Sequence, residues 1–455
     1  MTRLILDVDT GIDDALALAY LATFDTVDVL GVIGTYGNVS VDTAVRNTSY
    51  VLERLGFRHI PVIRGSSHPS WARCFIPDAG CAQFHGTDGL GGFGPARDRS
   101  SSNTAFPDNF SDNSGSDTVF SLDYRSLISV GGYALDDVHA NPAVDSFELS
   151  LTTDSASSIH ADDSSADSVS EGVRFIIDQV RAYGFDVTVV ATGPLTDIDA
   201  AIAAAPDIAG KLKLVMMGGT LTQEGNCWDL TAETNIIQDP EAADRVFHSG
   251  ADITMVGLDV THQCLMGSDA TCTWREAANA DTLGGSAGNS NAASARTASS
   301  DSSPSASDVR VFLADMADFS IAANYKADAR LFSQGMPLHD PLAAAVAVDP
   351  SLVTCINLPM KVELETGDFH GTRGRTIGDP AGLIDPNAPR IHVALQVDSH
   401  RFVSDFTTRI KSLQLIHCGK SLILSPQRTR SIRQKLLFDA TETTVTVNVV
   451  VDRTP

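Results

Sequence analysis

Short apolar runs alternate with helix-patterned stretches along most of this chain, and that rhythm leaves few folds open. Leu4–Leu6 reads as a buried strand, and Asp13–Thr23 as a helix with Ala, Leu and Tyr on one face. Val29–Gly34 and Thr43–Leu55 repeat the pair, as do Val187–Ala191 and Leu195–Ala204. Leu214–Met217 and Ile253–Val256 add two more strands. The expected fold is α/β: a single large domain with a mostly parallel central sheet flanked by helices. A chain of 455 residues could hold two or three average domains, but one large unit with insertions accommodates it equally well.

Two stretches interrupt the rhythm. Residues 97–170 are rich in Ser, Asp, Asn and Gly, and residues 277–307 are almost wholly Ala, Ser, Asn, Gly and Thr. Neither holds enough apolar surface to offset the entropy of ordering it, so both are expected to be mainly disordered insertions. Apolar runs such as Tyr124–Val130 leave room for local order in the first. The tail differs again. From Leu413 to Pro455 six Lys or Arg outweigh three acidic residues, leaving −28 on the rest of a chain whose total is −25. The tail ends in an alternating Thr/Val stretch, Thr443–Val451, patterned as a strand. The expected organisation is a catalytic domain over 1–411 carrying both insertions, and a C-terminal extension over 412–455 with no assigned role.

The charge narrows the partners. A net −25 lacks the clustered Lys and Arg that phosphate binding requires, which argues against nucleic acid and against an anionic membrane surface. No uninterrupted apolar stretch is long enough to span a bilayer. Seven cysteines contain no C-x-x-C pair and are odd in number, a reduced usage rather than a disulfide framework or zinc site. The N-terminus runs straight into Leu4-Ile5-Leu6-Asp7 without a signal-peptide pattern, so a cytoplasmic location is expected. An acidic body suits an enzyme acting on a neutral small molecule.

Four carboxylates fall within eight residues in Asp7-Val8-Asp9-Thr10-Gly11-Ile12-Asp13-Asp14, at the carboxyl end of the first strand. Ligands of open α/β sheets bind outside that end. Strand alternation puts Asp7 and Asp9 on one side, Gly11 permits the turn, and Asp13 and Asp14 enter the first helical turn. The positive helix end eases part of the crowding. Like charges this close still raise one another's pKa, and a bound hard cation relieves them. Oxygen-only donors favour Ca²⁺ or Mg²⁺ over zinc. A solvated loop with a capping Asp accounts for one such residue, not for four.

Taken alone, Asp7-Val8-Asp9-Thr10 also matches the D-x-D-x-T opening of Mg²⁺-dependent haloacid-dehalogenase-type phosphatases, with Asp7 as nucleophile and Asp9 as acid/base. The full run, D-x-D-x-G-x-D-D-A, resembles the signature of the inosine–uridine-preferring nucleoside hydrolase family. Further segments resemble that family in the same order. They are Gly37-Asn38, the run from His85 to Gly91, Ala191-Thr192-Gly193-Pro194-Leu195-Thr196, and Met217-Gly218-Gly219 followed by Asn226 and Glu233-Thr234-Asn235. Leu338-His339-Asp340-Pro341 follows, and Val362–Thr366 with Thr372-Arg373-Gly374 resembles a late strand of the family. The resemblance covers residues 1–96, about 171–276 and about 308–411. A phosphatase has no reason to carry the later segments.

The resemblance implies a nucleoside-hydrolase-like open sheet, a ribonucleoside substrate and a Ca²⁺ cofactor. It implies that Asp9, Asp14 and Asp340 bind the ion with the main-chain carbonyl of Thr192, and that Asp13 is the general base toward its water. Asn38, Asn226, Glu233 and Asn235 would hold the ribose hydroxyls. His339 would protonate the leaving base, with His85 also lining the base pocket. A homo-oligomer, dimer or tetramer, is implied by resemblance alone. The chemistry agrees: cleaving an N-ribosidic bond passes through an oxocarbenium-like state, which carboxylates stabilise and an activated water captures.

Plainer readings stand beside these. His339-Asp340-Pro341 also reads as a helix start, with Asp capping and Pro at the first position. Glu233 and Asn235 also read as turn residues before Asp239-Pro240. Tyr325, fourteen positions before His339, reads as reaching the base or as core or surface. Trp228 could stack on a base, whereas Trp71 and Trp274 read as core and His262 as structural. One residue more than the family's usual spacing separates Asn226 from Glu233. The first insertion flanks the Gly89-Leu90-Gly91 loop, so a calcium-dependent nucleoside-binding protein without activity stands as a further alternative.

Overall fold

The structure, a computed structural model, describes residues 1–95, 169–227, 230–284, 305–365, 371–383 and 385–414. Most of both expected insertions, the strand expected at Thr443–Val451 and Trp228 lie outside the described residues. Twelve described strands run in chain order as β1 (Thr2–Val8), β2 (Val27–Gly34), β3 (Val62–Arg64), β4 (Val187–Ala191), β5 (Lys213–Met217) and β6 (Asp252–Val256), then β7 (Leu265–Met266), β8 (Met336–Pro337), β9 (Val353–Leu358), β10 (Met360–Val362), β11 (Thr376–Gly378) and β12 (Ile391–Val397).

Eight of these form one sheet in the order β3-β2-β1-β4-β5-β6-β12-β9. All neighbours pair in parallel except β12 with β9, so the expected mostly parallel sheet closes on one antiparallel edge. The pairs β10-β11 and β7-β8 stand apart from it. Parallel strands need both faces covered, which explains why the central strands are apolar throughout rather than alternating. Within β1, Leu4, Leu6 and Val8 join one core cluster and Ile5 the other. The first cluster packs helices Ile12–Leu21, Ala306–Ala327, His339–Val348 and Ser399–Lys411 on one face; the second packs Glu171–Tyr183, Thr196–Ala204 and Pro240–Phe247 on the other.

The chain steps from β1 outward to β2 and β3, then returns to the far side of β1 with β4 and continues to β5 and β6. The loops leaving β1 and β4 therefore part in opposite directions and leave a crevice at their carboxyl ends. That crevice positions the site.

The expected insertion boundaries shift at the second segment. Helix Ser268–Gly284 runs past residue 277, and helix Ala306–Ala327 begins at once after Ser305, whose hydroxyl accepts from the Asp308 amide. The two helices lie antiparallel: Arg275 pairs with Asp315 and Asp318, and Arg310 with Asp281. Low apolar content concealed the helical residues there, because helix-forming Ala resembles linker composition. At the other end, Leu413 is buried and its carbonyl accepts from Arg310, so the core reaches past 411. No described helix is long and apolar enough to cross a membrane, and no disulfide joins the six described cysteines.

Candidate active site

The acidic turn sits at the topological switch point. β1 ends at Val8, Asp9 and Thr10 leave its carboxyl end, and Asp13 and Asp14 lie in the first turn of helix Ile12–Leu21. Thr192 leaves the end of β4 beside it, and its amide donates to the Asp7 carbonyl at 2.9 Å. Asp340 arrives 326 residues after Asp14, in the first turn of helix His339–Val348, which packs against Ile12–Leu21. One ligand oxygen each from Asp13, Asp14 and Asp340 lies within 4.8 Å of the others, close enough for one cation to touch all three. These residues and Asp9 are buried.

Such burial is costly for charge. Desolvation first, then the Asp14 carboxylate, pushes Asp9 well above the usual carboxylate range. Desolvation followed by the charges of Asp13, Asp14 and Asp9 does the same to Asp340. Asp14 rises to about 7, chiefly through burial and next through Asp13, although the Thr192 hydroxyl (2.6 Å) and the Gly11 amide (2.7 Å) donate to it. Both Asp9 oxygens accept from Asn38, from its amide at 2.7 Å and its Nδ2 at 3.0 Å. Asp13 Oδ1 is buried without a hydrogen-bond partner. The donor set is all oxygen, anionic and incompletely satisfied, and it fits a hard divalent cation.

Above the cluster opens a cavity of about 150 Å³. Nine of the eleven residues singled out in the sequence line it: Asp13, Asn38, His85, Thr192, Asn226, Glu233, Asn235, His339 and Asp340. Asp9 and Asp14 do not line it. Asp9 stands behind Asn38, and Asp14 is held by Thr192. The cation-sized trio thus includes Asp13, expected as a base, and omits Asp9, expected as a ligand.

Several lining side chains also have structural tasks. Glu233 caps helix Thr234–Gln238, accepting from the amides of Asn235 and Ile236, and it also accepts from Gly219 at 2.9 Å. Burial nevertheless raises its pKa to about 7. Asn235 Nδ2 donates to the Thr192 carbonyl at 2.8 Å, and Asn226 Oδ1 accepts from the Thr234 amide at 2.9 Å. His85 Nδ1 accepts from the Ile12 amide at 3.1 Å, so Nε2 carries that ring's proton; burial lowers its pKa despite Asp13 beside it. Burial, then the rings of His262 and His85, lowers His339 well below its ordinary value. In both rings burial favours the uncharged imidazole.

Sequence reasoning misplaced some neighbours. His262, read as structural, lines the cavity and lies 5.6 Å from the His339 ring centre to centre. Asn324 lines it too, whereas Tyr325, one residue on, is exposed. A helix turns about 100° per residue, so neighbours face different ways. Trp274 is core as expected. Trp71 is 57% exposed, under Arg373, and not core. Asp7 is fully buried on the face of Ile5, near Asp197, and does not line the cavity.

Two expected outcomes arise here. A Cβ on Gly37 would lie 2.0 Å from Asp9 Oδ2. Gly37→Ala must therefore displace Asp9 and its bonds to Asn38, and kcat/KM for the wild-type reaction should fall by about 100-fold, as ångström-scale misplacement does. Unchanged kinetics would show that Asp9 need not hold its place. The second concerns His262, whose imidazole burial lowers to about 4. As pH falls the unfolded chain takes up that proton first, so the stability His262 contributes is present above about 6.5 and lost between 6.5 and 4. Melting curves over that window should show wild type losing up to about 3 kcal/mol more than His262→Gln. Parallel pH profiles would dismiss the linkage.

This chain is similar to known proteins in sequence and fold. A family model described as inosine-uridine preferring nucleoside hydrolase matches residues 4–404. Uridine nucleosidase 1 of Arabidopsis thaliana is 31% identical over 269 residues, 59% of this chain and 59% of that protein, so the match spans less than two thirds of that relative. A pyrimidine-specific ribonucleoside hydrolase of Shewanella woodyi is 28% identical over 404 residues, 89% of this chain and 96% of that one. Among solved structures, a purine-preferring ribonucleoside hydrolase from Gardnerella vaginalis superposes with a TM-score of 0.62 at 35% identity, covering 90% of this chain and 99% of that one. This chain belongs to the inosine-uridine preferring nucleoside hydrolase family.

Proposed function

We propose that the protein is an N-glycosidase that hydrolyses ribonucleosides to ribose and free base. The observation that carries this reading is the buried carboxylate cluster opening into a cavity lined by amides, carboxylates and imidazoles, with no Lys or Arg among the described lining residues. Such a wall stabilises positive charge on a sugar and repels phosphate. Calcium is the proposed occupant of the cluster, held by Asp14 and Asp340 with Asp9 and the Thr192 carbonyl, because the donors are hard oxygens alone. When bound it supplies Lewis acidity toward water and a template for vicinal hydroxyls.

The chain's own groups do the rest. Asp13 takes the proton of the attacking water, since its Oδ1 is the buried cluster oxygen at the cavity without a partner. Asn38, Asn226, Glu233 and Asn235 satisfy the ribose hydroxyls that burial would leave unpaired. His339 serves the departing base as a neutral donor, and His85 lines the base end through its Nε2–H. A phosphatase reading has no support in the geometry: Asp7, its nucleophile, is inaccessible behind the sheet end.

Domain organisation follows the same reading. The catalytic unit is proposed to run from residue 1 to just past Leu413, with the two insertions within 97–170 and between helices Ser268–Gly284 and Ala306–Ala327, and the remainder to 455 as an extension. A cytoplasmic location suits the six described cysteines, none of which is in a disulfide, and self-association into dimers or tetramers is proposed from the family. The names of relatives point variously to uridine, pyrimidine and purine nucleosides, which favours a broad specificity here.

A panel of purine and pyrimidine ribonucleosides, assayed for base release with and without a chelator, tests the proposal. The expected result is release that the chelator abolishes and added calcium restores. Calorimetric binding of inosine with no product after long incubation would instead establish a non-catalytic nucleoside-binding protein.

A further inference from the structure

The departing base needs its hydrogen-bond donor held in one orientation, and the contacts around His339 identify what holds it. His339 is the first residue of helix His339–Val348. Its Nδ1 lies 2.7 Å from the hydroxyl of Thr261, the last residue of the short helix Leu258–Thr261. Thr261 is fully buried, and His339 is the hydrogen-bond partner of its hydroxyl among the described residues. His262 follows directly and sets its ring against His339, 5.6 Å away and tilted by 58°. Phe332 meets His262 edge-on at 5.4 Å and backs it. The imidazole is thus bonded at one nitrogen and flanked by a second ring, and Nε2 is the nitrogen left for a ligand in the cavity.

We infer that Thr261 is a positioning residue for leaving-group departure: its hydroxyl fixes the ring orientation and tautomer of His339, so that Nε2–H meets the nucleobase. This rests on the nucleoside-hydrolase reading above. In the reaction the C1′–N bond breaks and its electron pair passes to the base. The water oxygen bonds to C1′ and gives one proton to Asp13; the base leaves as an anion hydrogen-bonded to His339 Nε2–H and takes a proton from solvent as Asp13 returns its own to solvent, so none is gained or lost overall. Without the Thr261 hydroxyl the ring loses what distinguishes one flip and one tautomer from the other. Orienting partners of this kind are worth about 10–100-fold in activity.

The test compares two ribosides in wild type, Thr261→Val and Thr261→Ser. Inosine carries a leaving base that needs a donor; 4-nitrophenyl riboside releases a phenolate that is stable without one. Thr261→Val is expected to lower kcat on inosine about 10–100-fold, with KM unchanged and kcat on the nitrophenyl riboside within a few-fold of wild type. Thr261→Ser, which keeps the hydroxyl, should restore the inosine rate. The ratio of the two rates is internal to each preparation, so partial unfolding of a variant does not disturb it. An equal loss on both substrates, no loss on either, or failure of Ser to restore the ratio would overturn the inference. If wild type cleaves neither riboside, the hydrolase reading itself fails, and the two failures are told apart by that control.

Discussion

Asp13→Asn is expected to lower kcat for nucleoside hydrolysis by about 1,000-fold while leaving KM and the melting temperature near their wild-type values. The substitution replaces one oxygen by an amide nitrogen of similar size and removes basicity without vacating space. Asp13 lies in the first turn of helix Ile12–Leu21, where its carboxylate has one buried oxygen lacking any hydrogen-bond partner and its side chain borders the cavity. Removing one of several crowded charges relieves repulsion, so no loss of stability offsets the interpretation. Ultraviolet detection of base release measures the rate, and a thermal melt measures the fold. Full turnover in Asp13→Asn would sink its role as base.

The largest effect on stability is expected far from the cavity. Trp274 is completely buried in helix Ser268–Gly284, its Nε1 donates to the Thr407 carbonyl at 3.0 Å, and its ring lies 6.2 Å from Phe406. It therefore joins the helix that precedes the second insertion to helix Ser399–Lys411. Trp274→Ala removes that packing and leaves a cavity, at a cost of about 3–5 kcal/mol. Trp274→Phe keeps most of the apolar volume but removes the bond to the part-buried Thr407 carbonyl, at a cost of about 0.5–1.5 kcal/mol. Denaturant titration should resolve the two, with kcat per folded molecule unchanged. A Trp274→Ala loss below 1 kcal/mol would mean that this helix is not part of the cooperative core.

Much of this molecule was legible in its sequence because its signals are local. β1, β2, β4, β5 and β6 fall on the apolar runs that marked them, since both faces of a parallel sheet are covered and no polar alternation blurs the pattern. β9 escaped notice because half of it is exposed at the antiparallel edge, where apolar density drops. The carboxylates of the first turn announced themselves by crowding. The distant members did so only through resemblance, since no periodicity links Asp14 to Asp340. The cavity-lining place of His262 was not legible because a histidine after a β-branched pair carries no local mark of facing a cavity; the packing of His339 and Phe332 around it shows that place. Asp13 and Asp9 share a motif, and spacing alone does not say which faces the trio and which faces Asn38.

The union of β1, β4 and helix His339–Val348 at one crevice has a consequence for how the molecule comes into being. The cation-sized oxygen cluster draws on Asp13, Asp14 and Asp340, so it does not exist on a nascent chain until that last helix has left the ribosome and docked. Closing so long a stretch of chain is slow, because entropy is lost before any long-range contact is gained. Asp340 stays apart from Asp13 and Asp14 until then, which spares the early chain its share of their repulsion. Cation capture thereby becomes a reporter of that docking, and a chain truncated before Asp340 lacks the centre together with β9 to β12.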